Sequence, residues 1–236
     1  MGIVKASARE TGGGLVCDLH THTLYSGDSL TSPAAFLAAC ARQGLDRVAV
    51  TDHNTIAGAL RLKELDPQRV IVGEEIRTTA GELIAYFLSQ PVAAGLSPEE
   101  TIAAVRAQGG VVGASHPLDR VRREALRYPA LLPLLGQLDF LETFNARCVF
   151  PADNRAAHAL ALEAGLPMTA GSDAHCPWEL GRAVTILPPF DSPSSFLDSL
   201  RAGRIQGRMS PVCIHFVSRY AKLARKLGWV SPPGVE

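Results

Sequence analysis

Five short groups of imidazole and carboxylate side chains punctuate this chain: His20-Thr21-His22, Asp52-His53, Glu74-Glu75, His116 and Asp173-Ala174-His175. They hold five of its seven histidines. Each closes a stretch with strand character, and imidazole with carboxylate is a donor set that holds divalent cations. Residues i and i+2 of a strand point to the same face, so His20 with His22, and Asp173 with His175, can each offer a pair of donors to one ion. Asp52 and His53 are neighbours and face opposite ways, so one is placed to bind and the other to orient a ligand from behind. The same alternation leaves one of Glu74 and Glu75 pointing inward. His116 is followed by Pro117, which stops a strand where a binding residue is wanted. Donors at successive strand ends meet in space on the C-terminal face of a β/α barrel, which makes the chain a candidate metallohydrolase.

The elements that must position these groups alternate along the chain. Strand signals fall at 15–19, 47–51, 69–76, 81–88, 111–115, 138–143, 167–170, 183–187 and 204–209. Helix signals fall at 33–41, 56–65, 98–108, 122–135, 152–163, 194–201 and 214–227, with none between 69–76 and 81–88. Ser97, Pro98 and Glu100 form the best start signal, a Ser N-cap with Pro at the first helical position and a capping-box Glu. Strands alternating with helices predict βαβ units, a parallel sheet and a closed or nearly closed barrel. One domain over 1–236 is expected, with 1–14 and 231–236 as flexible ends.

Composition removes several function classes. Lys+Arg and Asp+Glu balance at 23 each, so no global field draws the chain to nucleic acid or membrane. No apolar run has the length of a membrane span or the form of a signal peptide. Cys17, Cys40, Cys148, Cys176 and Cys213 are odd in number and lack CxxC spacing, which points to reduced thiols and a cytoplasmic location.

The segments DLHTHTLYSGDS, VAVTDHNTIAGA, VGEEI, ASHP and AGSDAH, in this order over about residues 15–190, resemble the motifs of the polymerase and histidinol phosphatase (PHP) superfamily. The resemblance implies a distorted (β/α)7 TIM-like barrel with two or three divalent metal ions (Mn, Zn or Fe) at the C-terminal ends of the strands. It implies metal ligation by His20, His22, Asp28, His53, Glu75, His116, Asp173 and His175. Glu75 is selected over Glu74 because Gly73 completes the G-x-E pattern. Glu82 stands where many relatives carry a histidine, so the number of metals, two or three, stays open. The stretch from Asp139 to His175 resembles a stand-alone bacterial branch, which would set Glu142, Asn145 and Arg147 facing the centre.

The implied activity is that of a metal-dependent phosphoesterase acting on a phosphomonoester or nucleotide, with a hydroxide bridging two metals as the nucleophile. His175 is the candidate proton donor, and Asp52 the carboxylate assigned beside it. Guanidinium suits bidentate phosphate recognition, so Arg77, Arg120, Arg122, Arg123, Arg147 and the amide of Asn145 are the candidate substrate contacts. Arg219, Lys222, Arg225 and Lys226 fall at helical spacing and read as a solvated face. Partners are expected to be a small phosphorylated substrate or a short oligonucleotide, without membrane or obligate protein partner. The alternatives are a 5′–3′ exonuclease or oligonucleotide phosphatase, a C–N hydrolase, and a non-catalytic metal-stabilised module.

Overall fold

The strands are buried on both faces, and the alternation of their side chains divides the apolar residues into two layers. In a computed structural model that describes residues 12–230, the strands are β1 (Leu15–Asp18), β2 (Arg47–Val50), β3 (Val70–Arg77), β4 (Glu82–Tyr86) and β5 (Val111–Ala114). They continue as β6 (Phe140–Asn145), β7 (Met168–Gly171), β8 (Ala183–Leu187) and β9 (Arg204–Gly207). Of the ends expected to be flexible, 1–11 and 231–236 lie outside the described residues. Val16, Val48, Val50, Val70 and Val72 pack with helix residues in one layer, whereas Cys17, Ala49, Ile71, Ile84, Tyr86 and Phe140 pack with one another in the other. Tyr86 stacks on Phe140 with ring centroids 5.1 Å apart and meets Phe196 edge-on, filling the barrel interior with aromatic side chains.

The nine strands form one sheet in the order β7-β6-β5-β4-β3-β2-β1-β8-β9. Neighbours are parallel for β1–β2, β2–β3, β5–β6 and β6–β7. They are antiparallel for β3–β4 and β4–β5, and for β1–β8 and β8–β9. The β3–β4 hairpin is the distortion announced by the missing helix signal between those strands. The chain just past β7 then nearly closes the barrel onto the chain just past β1. Asp173 N–H donates to His20 C=O at 2.8 Å, and His22 N–H to Ala174 C=O at 2.9 Å. The fold is thus the expected distorted α/β barrel, with its donor groups at one mouth.

The helices are α1 (Pro33–Gln43), α2 (Ala57–Leu65), α3 (Pro98–Ala107), α4 (Tyr128–Leu131), α5 (Pro151–Ala164), α6 (Pro193–Arg201) and α7 (His215–Lys226). Ser97 caps α3 with the reciprocal Glu100 bond that the sequence announced. The helix expected over 122–135 is corrected: only the four-residue α4 and a 3-10 turn at Leu132–Leu134 form there. Pro129 and Pro133 interrupt it, and the Asp119 carboxylate captures the N–H groups of Val121 and Arg122 at 2.8 and 3.3 Å in a local turn. The loop after β5 can therefore turn Arg122 to the mouth.

Closure also demands a small residue at the end of β7. A Cβ on Gly171 would lie 2.2 Å from His20 Cβ and 2.7 Å from Glu142 Oε1. Gly171→Ala is expected to cost about 1–3 kcal/mol of stability, the range for an overpacked core, and to displace His20. Thermal melting together with metal analysis checks this; a variant with wild-type melting and metal content would contradict it.

Candidate metal centre

Strand alternation decides the two ambiguous pairs. On β3, Glu75 shares its face with Ile71 of the inner layer and turns into the mouth, while Glu74 follows Val72 outward. There Glu74 Oε2 accepts the Val92 N–H at 2.8 Å. Past β2, His53 turns in and bridges Glu75 of the neighbouring strand. Asp52 turns away: its two oxygens accept from the N–H and hydroxyl of Thr23, both at 2.6 Å. The catalytic placement expected for Asp52 is therefore corrected. Its carboxylate holds the chain next to His22 and does not face the centre.

Glu75 is the hub. Its Oε1 lies 2.8 Å from His116 Nε2, and its Oε2 lies 3.3, 3.4 and 3.1 Å from nitrogens of His20, His22 and His53. His20 Nε2 and His22 Nε2 approach to 3.1 Å. Asp173 Oδ1 stands 3.3 Å from His22 Nε2, and Asp28 Oδ2 stands 3.3 Å from both His53 and His175. Glu82 lies 3.7 Å from His53 and from His116, so the carboxylate does join the cluster. His116 and Asp173 adopt positive φ, 29° and 53°, a strained backbone of the kind that collects at binding sites.

The donors fit divalent cations. Among the described residues, four sets of three or more ligand atoms lie mutually within 4.8 Å: His22-Asp28-His53-His175, His20-Glu75-His116, His20-His22-Asp173 and His53-Glu75-Glu82. Glu75 Oε2, Asp173 Oδ1, Asp28 Oδ1 and His116 Nδ1 are buried without a hydrogen-bond partner, an arrangement costly in the absence of a compensating charge. Sharing of His20, His22, His53 and Glu75 between sets places neighbouring cation positions side by side.

Electrostatics point the same way. Burial opposes a charge on His20 and on His53. Glu75, Glu142 and Asp173 around the first, and Glu75 and Asp28 around the second, outweigh it and raise both pKa values well above the ordinary imidazole range. Burial, reinforced by His175 and His53, lowers His22 to about 3, leaving a neutral ring with a lone pair. Such a surplus of carboxylate at depth draws positive charge. His175 Nδ1 is held by the Asp173 carbonyl at 2.8 Å, which directs Nε2 toward Asp28.

A second tier orients these donors. Glu142 contacts His20 Nδ1 at 3.1 Å and accepts the His116 N–H at 2.6 Å. Asn145, expected to contact substrate, is instead fully buried and donates to Glu142 and Asp173, each at 3.1 Å. Asp18, the first residue of the DLHTHT motif and given no role there, accepts from Ser172 N–H, Ser172 Oγ and Gly181 N–H, tying β1 to the segment before Asp173. The Cys176 thiol points to Glu179 at 3.2 Å, and burial followed by that carboxylate pushes its pKa up. It belongs to none of the four donor sets.

The mouth opens into a cavity of about 790 Å³. Arg77, Arg122, Arg123 and Arg147 border it, and Arg122 Nη2 contacts Asp173 Oδ2. Arg147 is almost fully buried, and its guanidinium is engaged by Ser218 Oγ and the carbonyls of Asp173 and Ile214. Arg120 is a correction: its guanidinium pairs with Asp153 at 2.7 Å and lies over Phe150, outside the cavity lining.

Comparison with known proteins gives a consistent picture. Residues 18–104 match the PHP domain family, and residues 151–205 match a family described as PHP-associated. Two uncharacterized proteins of Methanocaldococcus jannaschii are similar. One is 39% identical over 148 residues, 55% of this chain and 81% of the relative. The other is 34% identical over 197 residues, 78% of each. In fold, the chain resembles a two-domain protein of Bacteroides vulgatus containing a predicted PHP-like metal-dependent phosphoesterase. The TM-score is 0.68 at 22% identity, over 82% of this chain and 65% of that one. The curated relatives are archaeal, so the bacterial branch expected from residues 139–175 gains no support from them.

The contrast within the Glu pair is testable. Glu75→Gln is expected to lower metal affinity about 100-fold, at the upper end of what supporting ligand-shell changes cost, whereas Glu74→Gln retains full metal content. Elemental analysis after dialysis reads both; equal loss from the two variants would contradict the assignment.

Proposed function

This chain belongs to the PHP domain family, and from that premise we propose that it hydrolyses a phosphomonoester or nucleotide as a metal-dependent phosphoesterase. The observation that carries the reading is the convergence of four imidazoles on Glu75 at the floor of a cation-lined cavity. His20, His22, Asp28, His53, Glu75, Glu82, His116 and Asp173 would hold two or three divalent ions, with Nε2 of His175 left free of them, and such ions supply a deprotonated water at neutral pH and neutralise phosphoryl charge.

The remaining steps belong to the chain's own side chains. Arg122, directed inward on Asp173, and Arg77 at the rim bind phosphoryl oxygens by charge-assisted hydrogen bonds. His175, fixed through Nδ1 and bordering the cavity, presents Nε2 as the proton donor to the leaving oxygen. Burial and the Glu179 carboxylate raise the Cys176 pKa, which disfavours that thiol as a thiolate nucleophile. Arg123, more exposed than Arg122, borders the same cavity, which favours a second reading, a short oligonucleotide whose terminal phosphate enters the mouth.

Turnover of phosphomonoesters, nucleotides and short oligonucleotides tests the reading. A chelator is expected to abolish activity, and Mn, Zn or Fe to restore it; no hydrolysis of any of these by metal-loaded protein would contradict the proposal. His175→Asn is expected to keep its metal and lose about 10²–10⁴-fold in kcat, the contribution typical of a general acid. Full activity with intact metal content would remove that role.

A further inference from the structure

The last helix was expected to carry only a solvated basic face, yet it forms one wall of the cavity. His215, Ser218, Arg219 and Lys222 all border it, at the i, i+3, i+4, i+7 spacing of one helical face. The wall is anchored at both ends. Arg225 Nη2 contacts the carbonyls of Leu24 and Ser29, on the loop that carries Asp28. Arg147 binds Ile214 C=O and Ser218 Oγ at 3.3 and 2.9 Å at the other end, and Ala221 and Ala224 are buried against the body.

Two side chains of α7 border the cavity while remaining largely exposed. Lys222 places Nζ 3.3 Å from Asp28 Oδ2, the oxygen that His53 and His175 also approach, while its side chain stays 66% exposed. An ammonium so lightly enclosed is available to an anion arriving beside Asp28. Phe216 is 68% exposed, yet it borders the cavity with Val121, Val149 and Val212. A charged floor beneath an apolar shelf suits a molecule that is anionic at one end and apolar at the other.

Building on the phosphoesterase reading, we propose that α7 is the substrate-recognition wall. Lys222 binds a phosphoryl oxygen, and Phe216 covers the non-phosphate part of the ester, so the site selects phosphoesters whose leaving group presents an apolar or aromatic face. The two residues bind substrate and are not required to hold the metals.

Phenylphosphonate and methylphosphonate, whose C–P bonds are not hydrolysed, separate the two contacts by calorimetry on metal-loaded protein. Wild type is expected to bind the phenyl compound about tenfold more tightly, on the scale of burying part of one ring. Phe216→Ala erases that preference while methylphosphonate binding stays unchanged. Lys222→Gln weakens both ligands about tenfold, Lys222→Arg restores them, and metal content is unaltered in all three variants. Equal binding of the two phosphonates by an active wild-type enzyme would overturn the inference alone. So would a Phe216→Ala variant altered only in oligomeric state, or a Lys222→Gln variant altered only in metal content. Binding of neither phosphonate, with no phosphoesterase activity, would overturn the functional reading and this inference together.

Discussion

Burial of carboxylates around Glu75 is the constraint on which the rest of this molecule depends. Its side chain is fully enclosed, and four imidazoles from three separate segments approach its two oxygens. Glu82, Asp28 and Asp173 crowd the same space. An ionised group at such depth is expensive unless paired, and here the imidazoles alone leave oxygens of Glu75, Asp173 and Asp28 without hydrogen bonds. Divalent cations would resolve the imbalance, since they supply concentrated positive charge and tolerate several shared donors.

The scaffold is arranged to hold that cluster in register. Near-closure of the sheet occurs through backbone bonds at Asp173 and His22, so the same contacts that bring the first and seventh strands together also fix two donor groups. Behind the donors stand side chains that never reach the cavity. Asp52 secures Thr23, Asp18 secures Ser172 and Gly181, and Asn145 bridges Glu142 with Asp173. Aromatic packing of Tyr86, Phe140 and Phe196 fills the barrel interior. Interior packing and polar support thus serve one end of the barrel, where the donor cluster sits.

Much of this was legible in the chain because strand alternation and strand ends are local signals. Strand alternation leaves one member of each of the pairs Glu74-Glu75 and Asp52-His53 pointing inward, the motif resemblance selects Glu75 and His53, and the capping box at Ser97 and Glu100 marks a helix start from sequence alone. The failures share a different cause. Whether Arg120 faces the mouth depends on Asp153, 33 residues away, which captures its guanidinium. Asn145 looks like a substrate contact until Glu142 and Asp173 are seen on either side of it. The charged residues of the last helix have helical spacing, but only the docking of that helix through Arg225 and Arg147 reveals which of them turn inward. Asp18 opens the first motif, yet its role was not legible, because its partners at 172 and 181 are joined to it only by the fold. Tertiary pairing of polar groups, not local pattern, decided each of these cases.

Anomalous diffraction from crystals grown with Mn or Zn tests the central claim most directly. The account predicts at least two neighbouring peaks within the cluster, with Glu75 ligating between them and imidazole nitrogens of His20, His22, His53 and His116 as partners. Metal peaks only at the protein surface, with the buried cluster still free of density, would contradict it.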